Sequence, residues 1–242
     1  YSEAGHSLLE AQAEPVSGGV WINRKTGDFV KGPAPDRIRD LDEIPSPYLA
    51  GLLDPFLSSG YFPILQISRG CPFTCAFCNS SVISNSKIYR HSRENVEADL
   101  LYLAERIRPE VPLCFADDNF GMYPWDEEIA DYIRYLQDTY NWPQYIRTTT
   151  GKNNHERIIR VMHKTKAILP MTMAVQSLNP ETLQNIRRSN ISLESYAAVQ
   201  EEAHELGIQS YGELILCLPG ETKATFMQGL QDLLETGVKR VS

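Results

Sequence analysis

Pro63-Ile64-Leu65-Gln66-Ile67-Ser68-Arg69-Gly70-Cys71-Pro72-Phe73-Thr74-Cys75-Ala76-Phe77-Cys78-Asn79 joins a short apolar run to a loop carrying three of the chain's five cysteines within eight positions. The run from Pro63 to Ser68 has the length and composition of a buried strand. The three thiols therefore stand on the loop at a strand's C-terminal end. Downstream, further apolar runs at Pro112 to Asp117, Gln144 to Thr148, Pro170 to Gln176 and Ser210 to Leu216, and one opening at Val238, alternate with amphipathic stretches. That alternation is the signature of β/α units around a parallel sheet. Five complete units and the start of a sixth are too many for a small sandwich and fewer than the eight of a closed barrel. The predicted fold class is α/β, a partial TIM barrel of the (β/α)6 type, whose chemistry belongs at the C-terminal strand ends.

The amphipathic stretches supply helices. Val96, Leu100, Leu103 and Ile107 share one helical face behind a Ser92 cap, and Ile129, Ile133 and Leu136 do so behind Asp126. Tyr196, Val199, Ala203 and Leu206 form another stripe, begun by Ser192 and stopped by Gly207. Asn179-Pro180 reads as a cap followed by proline in a first turn, and Thr222 as the cap of a last helix. Residues 1–60 are rich in Gly and Pro and read as a connector or arm. A small hairpin is expected within it at Gly19–Asn23 and Thr26–Val30. The predicted organisation is thus an arm over 1–60 and a barrel over 61–242. The chain opens on Tyr1 and stops in what reads as the middle of a strand, so it is expected to be a piece of something longer, truncated at or near its sixth strand.

Composition bounds the partners. A net charge of −8 without a basic run argues against a nucleic-acid backbone as the main partner, while leaving room for a local patch that meets transfer RNA. No apolar stretch reaches the length that crosses a bilayer, and the first residues lack the layout of a signal peptide. The chain reads as soluble and cytoplasmic. Five cysteines in a chain this long, three of them clustered, do not read as a disulfide framework. Cys114 and Cys217 sit in apolar runs and read as small buried hydrophobes.

Three clustered thiolates can wrap one metal centre, and soft sulfur favours zinc or iron–sulfur clusters. Structural zinc takes four closed ligands, and the sequence offers neither a second C-x-x-C pair nor a neighbouring His-x₃-His. Three cysteines on a four-iron cluster leave one iron without a protein ligand, a position that a cofactor can fill. A zinc-stabilised binding module remains the alternative reading.

The C-x-x-x-C-x-x-C segment Cys71–Cys78 resembles the signature of the radical S-adenosylmethionine (radical SAM) superfamily. Phe115-Ala116-Asp117-Asp118-Asn119-Phe120-Gly121 is similar to that family's second-strand segment, Val175-Gln176-Ser177-Leu178-Asn179 to its fourth, and Leu214-Ile215-Leu216-Cys217-Leu218-Pro219-Gly220-Glu221-Thr222 to its fifth. The subgroup resembled often carries a cobalamin-binding domain ahead of the barrel. Leu41-Asp42-Glu43-Ile44-Pro45-Ser46-Pro47-Tyr48 looks like the connector that follows that domain. The domain's Asp-x-His-x-x-Gly motif does not occur in these residues, so cobalamin is implied only through a part absent here. Cys217 departs from the glycine usual at its position.

The resemblance implies a [4Fe–4S] cluster on Cys71, Cys75 and Cys78 and reductive cleavage of S-adenosylmethionine, with a donor such as flavodoxin or ferredoxin supplying the electron. It places Phe77 beside the adenine, with simple loop packing as its alternative. Asp117 and Asn119 would meet the cofactor's ammonium, or else be solvated turn residues. Gln176 and Ser177 would face the ribose or the methionine end. Arg188 would clamp the carboxylate. Glu213, within an apolar strand, calls for a ligand hydroxyl or an arginine against it. The implied activity is C-methylation or another carbon-centred modification of a small-molecule or biosynthetic-intermediate substrate. A methylthiotransferase acting on transfer RNA or a ribosomal protein is the alternative enzyme.

Overall fold

A computed structural model of the chain describes residues 17–81 and 87–242. These fall into two compact units that divide between Arg39 and Asp40. The first holds the expected hairpin: β1 (Val20–Ile22) pairs antiparallel with β2 (Phe29–Lys31). Its turn is built by Asn23, whose side chain accepts the Lys25 N–H at 2.9 Å, and by Gly27 at φ +78°.

The second unit carries the β/α alternation. β3 (Ile64–Leu65) pairs in parallel with β6 (Leu113–Phe115), which pairs in parallel with β7 (Ile146–Arg147). β8 (Met171–Gln176) and β9 (Ser210–Leu214) form a second parallel pair, and a bridge from Gly212 to Val241 begins the sixth position. Thr150 joins the two groups. Its hydroxyl accepts the Thr172 N–H at 2.9 Å and donates to the Thr172 carbonyl at 3.1 Å, so one side chain stands in for a pair of ladder bonds. This is the α/β partial barrel expected from the sequence.

One run differs from its expectation. Pro63 to Ser68 reads as a single strand, yet the chain turns at Gln66: β3 stays in the barrel sheet, while β4 (Ser68–Arg69) pairs antiparallel with β5 (Tyr89–Arg90). The cause is Asp117, whose carboxylate takes the Ile67 and Ser68 N–H groups out of any ladder.

The helices pack outside the strands. After a short α1 (Asp54–Leu57), α2 (Arg93–Ala104) starts at Ser92, which accepts the Asn95 N–H, and buries Val96, Leu100 and Leu103. Ile107 is buried just beyond its end. α3 (Pro124–Tyr140) begins one turn earlier than its sequence reading, because Pro124 starts the helix and Asp126, inside it, reaches back to accept the Tyr123 N–H at 3.0 Å. α4 (His155–Lys164) is a helix that the stripes do not predict; it buries Ile158, Ile159, Val161 and Met162. α5 (Pro180–Asn185), α6 (Leu193–Glu205) and α7 (Lys223–Glu235) carry the caps expected at Asn179, Ser192 and Thr222. Gly212 lets α6 and α7 close on β9, since a Cβ there would lie 3.0 Å from Tyr196 Oη and 3.1 Å from Leu233 Cδ2.

The stretch after Asp40 is laced to the barrel. Leu41 is fully buried, and the Tyr48 hydroxyl both accepts the Ile64 N–H and donates to the Ile64 carbonyl, each at 2.9 Å. The Asp42 carboxylate accepts the Ser92 N–H at 3.0 Å. Among the described residues no helix is long and apolar enough to cross a membrane.

Replacing Thr150 by Val keeps the shape and removes both bonds, leaving a buried N–H and C=O of Thr172 unpaired. A loss of about 1–3 kcal/mol is expected in urea unfolding, larger than for Thr149→Val at the neighbouring position.

Candidate functional site

The cysteine loop follows β4 and is pinned from several sides. The Ala76 N–H donates to the Ile186 carbonyl at 2.9 Å, and Ser81 Oγ lies 2.6 Å from the carbonyl oxygens of both Cys75 and Cys78. All three thiols are free; Cys71 and Cys75 are buried and Cys78 half-buried. Side chains from two strand ends and from the segment after α5 reach the sulfurs. Asn119, past β6, places Nδ2 3.4 Å from Cys71 Sγ. Lys152, past β7, places Nζ 3.9 Å from Cys75 Sγ, and Arg188, beyond β8, places Nη1 3.8 Å from the same sulfur.

Such donors are complementary to the negative charge that a sulfur carries as a ligand to iron. Among the described residues no three His, Cys, Asp or Glu side chains are gathered tightly enough for a single ion. A cluster asks for something else, one thiolate per iron around the corners of a cube. The donor set of three free thiols, two of them buried, each cysteine a few residues from the next and two faced by N–H groups, fits that larger group.

Asp117 is buried, and its carboxylate accepts the Ile67 N–H at 2.9 Å, the Ser68 N–H at 2.6 Å and the Ser68 hydroxyl at 2.7 Å. Burial pushes its pKa up to about 6 against those hydrogen bonds. Asp118 is exposed and accepts from Ser80 Oγ at 3.1 Å. Gln176 and Ser177 end β8, both buried, with Gln176 at φ +65° where the register against β9 shifts. Ser177 donates to the Glu221 carboxylate, which Thr225 also bonds. Asn190 organises the same edge: its Nδ2 donates to the Val175 and Ser177 carbonyls at 2.8 and 2.9 Å, and its Oδ1 accepts from Arg188 Nε at 3.0 Å. Arg188 Nη2 bonds the Ala174 carbonyl.

Direct bonds therefore tie Asn119 to Cys71 and Arg188 to Cys75, whereas Gln176, Ser177 and Glu213 make no hydrogen bond to the sulfurs among the described residues. Phe77 is 38% exposed on the loop. Glu213 is half-buried and lines a cleft of about 1170 Å³ together with Tyr211, Lys239 and Arg240. No hydrogen bond or ion pair to it is found among the described residues, so the partner expected from the sequence is not supplied by an arginine of this unit.

Two features went unread in the sequence. Lys152 follows Thr148-Thr149-Thr150-Gly151 at a strand end, and the rule that places chemistry at such ends would have found it. Gly151 has no room for a side chain, since a Cβ would meet Met122 Cβ at 2.6 Å. Lys152 Nζ also sits 3.9 Å from the centroid of Phe73. Its pKa is lowered, by burial first and also by the Arg188 charge, against the raising effect of the Cys75 and Cys71 sulfurs. The second is Asn190, whose role in holding Arg188 has no signature beyond its nearness in sequence. Cys217 corrects an expectation: it is exposed, at φ +62°, because β9 ends at Leu214 and the chain is already turning. The left-handed backbone is the conformation that glycine would adopt without strain.

Residues 65–233 match the Radical SAM superfamily. Over 228 residues, 90% of the chain, the sequence is 31% identical to 2-(S-pantetheinyl)-carbapenam-3-carboxylate methyltransferase of Streptantibioticus cattleyicolor and covers 33% of it. It is 30% identical over 228 residues to the cobalamin-dependent radical SAM methyltransferase TokK of Streptomyces tokunonensis, again with 90% and 33% coverage. The chain thus spans about a third of the length of these relatives. The solved structure of the radical SAM methyltransferase TsrM from Kitasatospora setae shares the fold, with a TM-score of 0.69 over 99% of this chain and 48% of that one at 12% identity.

Two outcomes follow from the local chemistry. Asp126 is buried, and burial together with the Asp117 charge raises its pKa from 3.8 to about 7, against the N–H groups of Tyr123 and Gly121. A carboxyl raised in the folded state contributes its full stability below about pH 4 and loses it as pH climbs to about 7. Asp126→Asn should therefore match the parent near pH 4 and exceed it at pH 8 by about 1–4 kcal/mol, since each tenfold change in proton affinity between the folded and unfolded chain is worth about 1.4 kcal/mol. Urea unfolding at the two pH values checks this, and an equal difference at both would show an ionised Asp126. Cys217→Gly should raise stability by about 0.5–1 kcal/mol, the left-handed strain relieved less the chain entropy of glycine. A drop in the same assay would count against the strain.

Proposed function

We infer a function from the premise that this chain belongs to the radical SAM superfamily, whose enzymes use a [4Fe–4S] cluster and S-adenosylmethionine. The chain is, in this reading, the barrel core of a cobalamin-dependent C-methyltransferase acting on a small-molecule substrate. Residues 61–242 form the catalytic barrel and the preceding stretch is its connector. The cluster sits on Cys71, Cys75 and Cys78. The observation that carries the reading is the convergence of Asn119, Lys152 and Arg188, from three separate β/α segments, upon the sulfurs of the cysteine loop. The names of the two curated relatives, both methyltransferases and one cobalamin-dependent, support the rest of it. Cobalamin would be held by parts of the protein corresponding to the two thirds of those relatives that this chain does not cover.

Bound there, the cluster and S-adenosylmethionine supply one-electron chemistry at the cofactor's sulfonium, with flavodoxin or ferredoxin as the proposed electron source in the cytoplasm. The residues of the chain do the positioning. Asp117 holds the root of the cysteine loop, and Asn119 turns an amide N–H on Cys71. Arg188, anchored by Asn190, offers its guanidinium edge to the cofactor carboxylate. Gln176 and Ser177, fixed by the β8 edge and Glu221, face the ribose or the methionine end. Phe77 is exposed enough to lie along the adenine. Glu213, on β9, would accept a cofactor hydroxyl; the cleft it lines opens among residues that precede β8 and β9 and is a separate feature from the cysteine loop.

Cys75→Ala should lose iron, sulfide and the brown colour after anaerobic reconstitution while keeping its far-UV spectrum, because the loop lies outside the core. Reduction of the reconstituted parent with dithionite in the presence of S-adenosylmethionine should yield 5′-deoxyadenosine, and Cys75→Ala none. A colourless parent holding one zinc, or an iron-replete parent that never yields the nucleoside, would overturn the reading.

A further inference from the structure

Cys75 stands apart from the other two cysteines in its electrostatic surroundings. Cys71 meets a neutral amide, and no hydrogen bond to Cys78 Sγ is found among the described residues. Cys75 meets two cations, Arg188 at 3.8 Å and Lys152 at 3.9 Å. Their commitments differ. Arg188 is tied to Asn190 and to the Ala174 carbonyl. Lys152 makes no ion pair among the described residues, unlike Lys164 and Lys166, which are matched to Asp131 and Asp138. Its other neighbour is the face of Phe73, within the cysteine loop itself. An aromatic face holds an ammonium in place without neutralising it as a carboxylate would. The residue before Lys152, Gly151, lies so close on Met122 that a Cβ there would meet Met122 Cβ at 2.6 Å.

We propose that Lys152 is a tuning residue that raises the reduction potential of the cluster through Cys75. This rests on the reading that Cys71, Cys75 and Cys78 hold a four-iron cluster. On reduction one electron enters the cluster from an external reductant, no bond breaks and no proton moves, so the cluster becomes more negative by one charge. A fixed cation at the edge of that charge stabilises the reduced form more than the oxidised one. The hydrogen bond to the sulfur acts in the same direction, by drawing electron density from the thiolate. Loss of Lys152 should make the cluster harder to reduce.

The test is a redox titration of the reconstituted protein, followed by the electron paramagnetic resonance signal of the reduced cluster, for the parent and for Lys152→Met, Lys152→Gln and Lys152→Arg. At the parent's midpoint the ratio of reduced to oxidised cluster should fall at least tenfold in the Met variant, about 59 mV or more for a one-electron couple. The Gln variant, which can still donate a hydrogen bond, should fall nearly as far if charge dominates, and the Arg variant should stay near the parent. An unchanged midpoint in iron-replete Met and Gln variants overturns the proposal and leaves Lys152 as packing for Phe73. If neither neutral variant retains four irons while the Arg variant does, the cation acts on assembly, and the proposal again fails. A parent that holds no four-iron cluster would instead refute the underlying reading.

Discussion

The Asp117 carboxylate is the constraint from which the rest of the site follows. It stands two residues past β6 in the barrel and reaches sideways to the backbone of Ile67 and Ser68, two and three residues past the neighbouring strand. Those N–H groups cannot then continue the parallel ladder. The chain leaves the sheet, forms the small antiparallel pair β4/β5 and delivers Cys71 to the C-terminal mouth. A buried carboxylate is costly unless its oxygens are occupied, and here the occupants are the very groups that release the loop. The raised pKa of Asp117 reports that tension: burial outweighs three hydrogen bonds.

Around this hinge three separate β/α segments each supply a donor. Parallel strands bring their C-terminal ends to the same edge, so residues distant in sequence become neighbours without any local motif. Asn119, Lys152 and Arg188 share nothing in sequence; the first two stand four and five residues beyond β6 and β7 and the third follows α5, yet each faces a sulfur. Positive charge gathers beside Cys75, while the carboxylates of Asp117 and Asp126 lie buried on the side of β6 and α3. An acidic chain overall can thus present a locally cationic pocket, and net charge says little about what a site will bind.

Much of this was legible in the sequence because it depends on periodicity and punctuation. The strand runs at Pro112, Pro170 and Ser210 and the caps at Ser92, Asn179, Ser192 and Thr222 lie where patterning puts them. The cysteine spacing, too, needs no fold to be noticed. What escaped was set by side chains acting across the fold. Nothing in Pro63 to Ser68 announces that Asp117 will split the run. The α4 helix hid because Asn154, in a left-handed conformation, gives it no side-chain cap, and because the pair Ile158-Ile159 blurs the stripe. Cys217 looked buried because Leu214-Ile215-Leu216 precede it, but apolar composition cannot show where a strand stops.

Thr150, Gly151 and Lys152 bind these threads together in three consecutive residues. Thr150 sutures β7 to β8, Gly151 lets the chain press against Met122, and Lys152 then emerges at Cys75. Closure of the barrel and the charge at the cysteine loop are therefore set by one short piece of backbone. A shift in how β7 meets β8 moves the ammonium relative to the sulfur, and over so short a distance a change of an ångström alters the Coulomb energy appreciably. Sheet packing and site electrostatics are in this sense a single variable: the barrel has to be closed at Thr150 for Lys152 to act where it does.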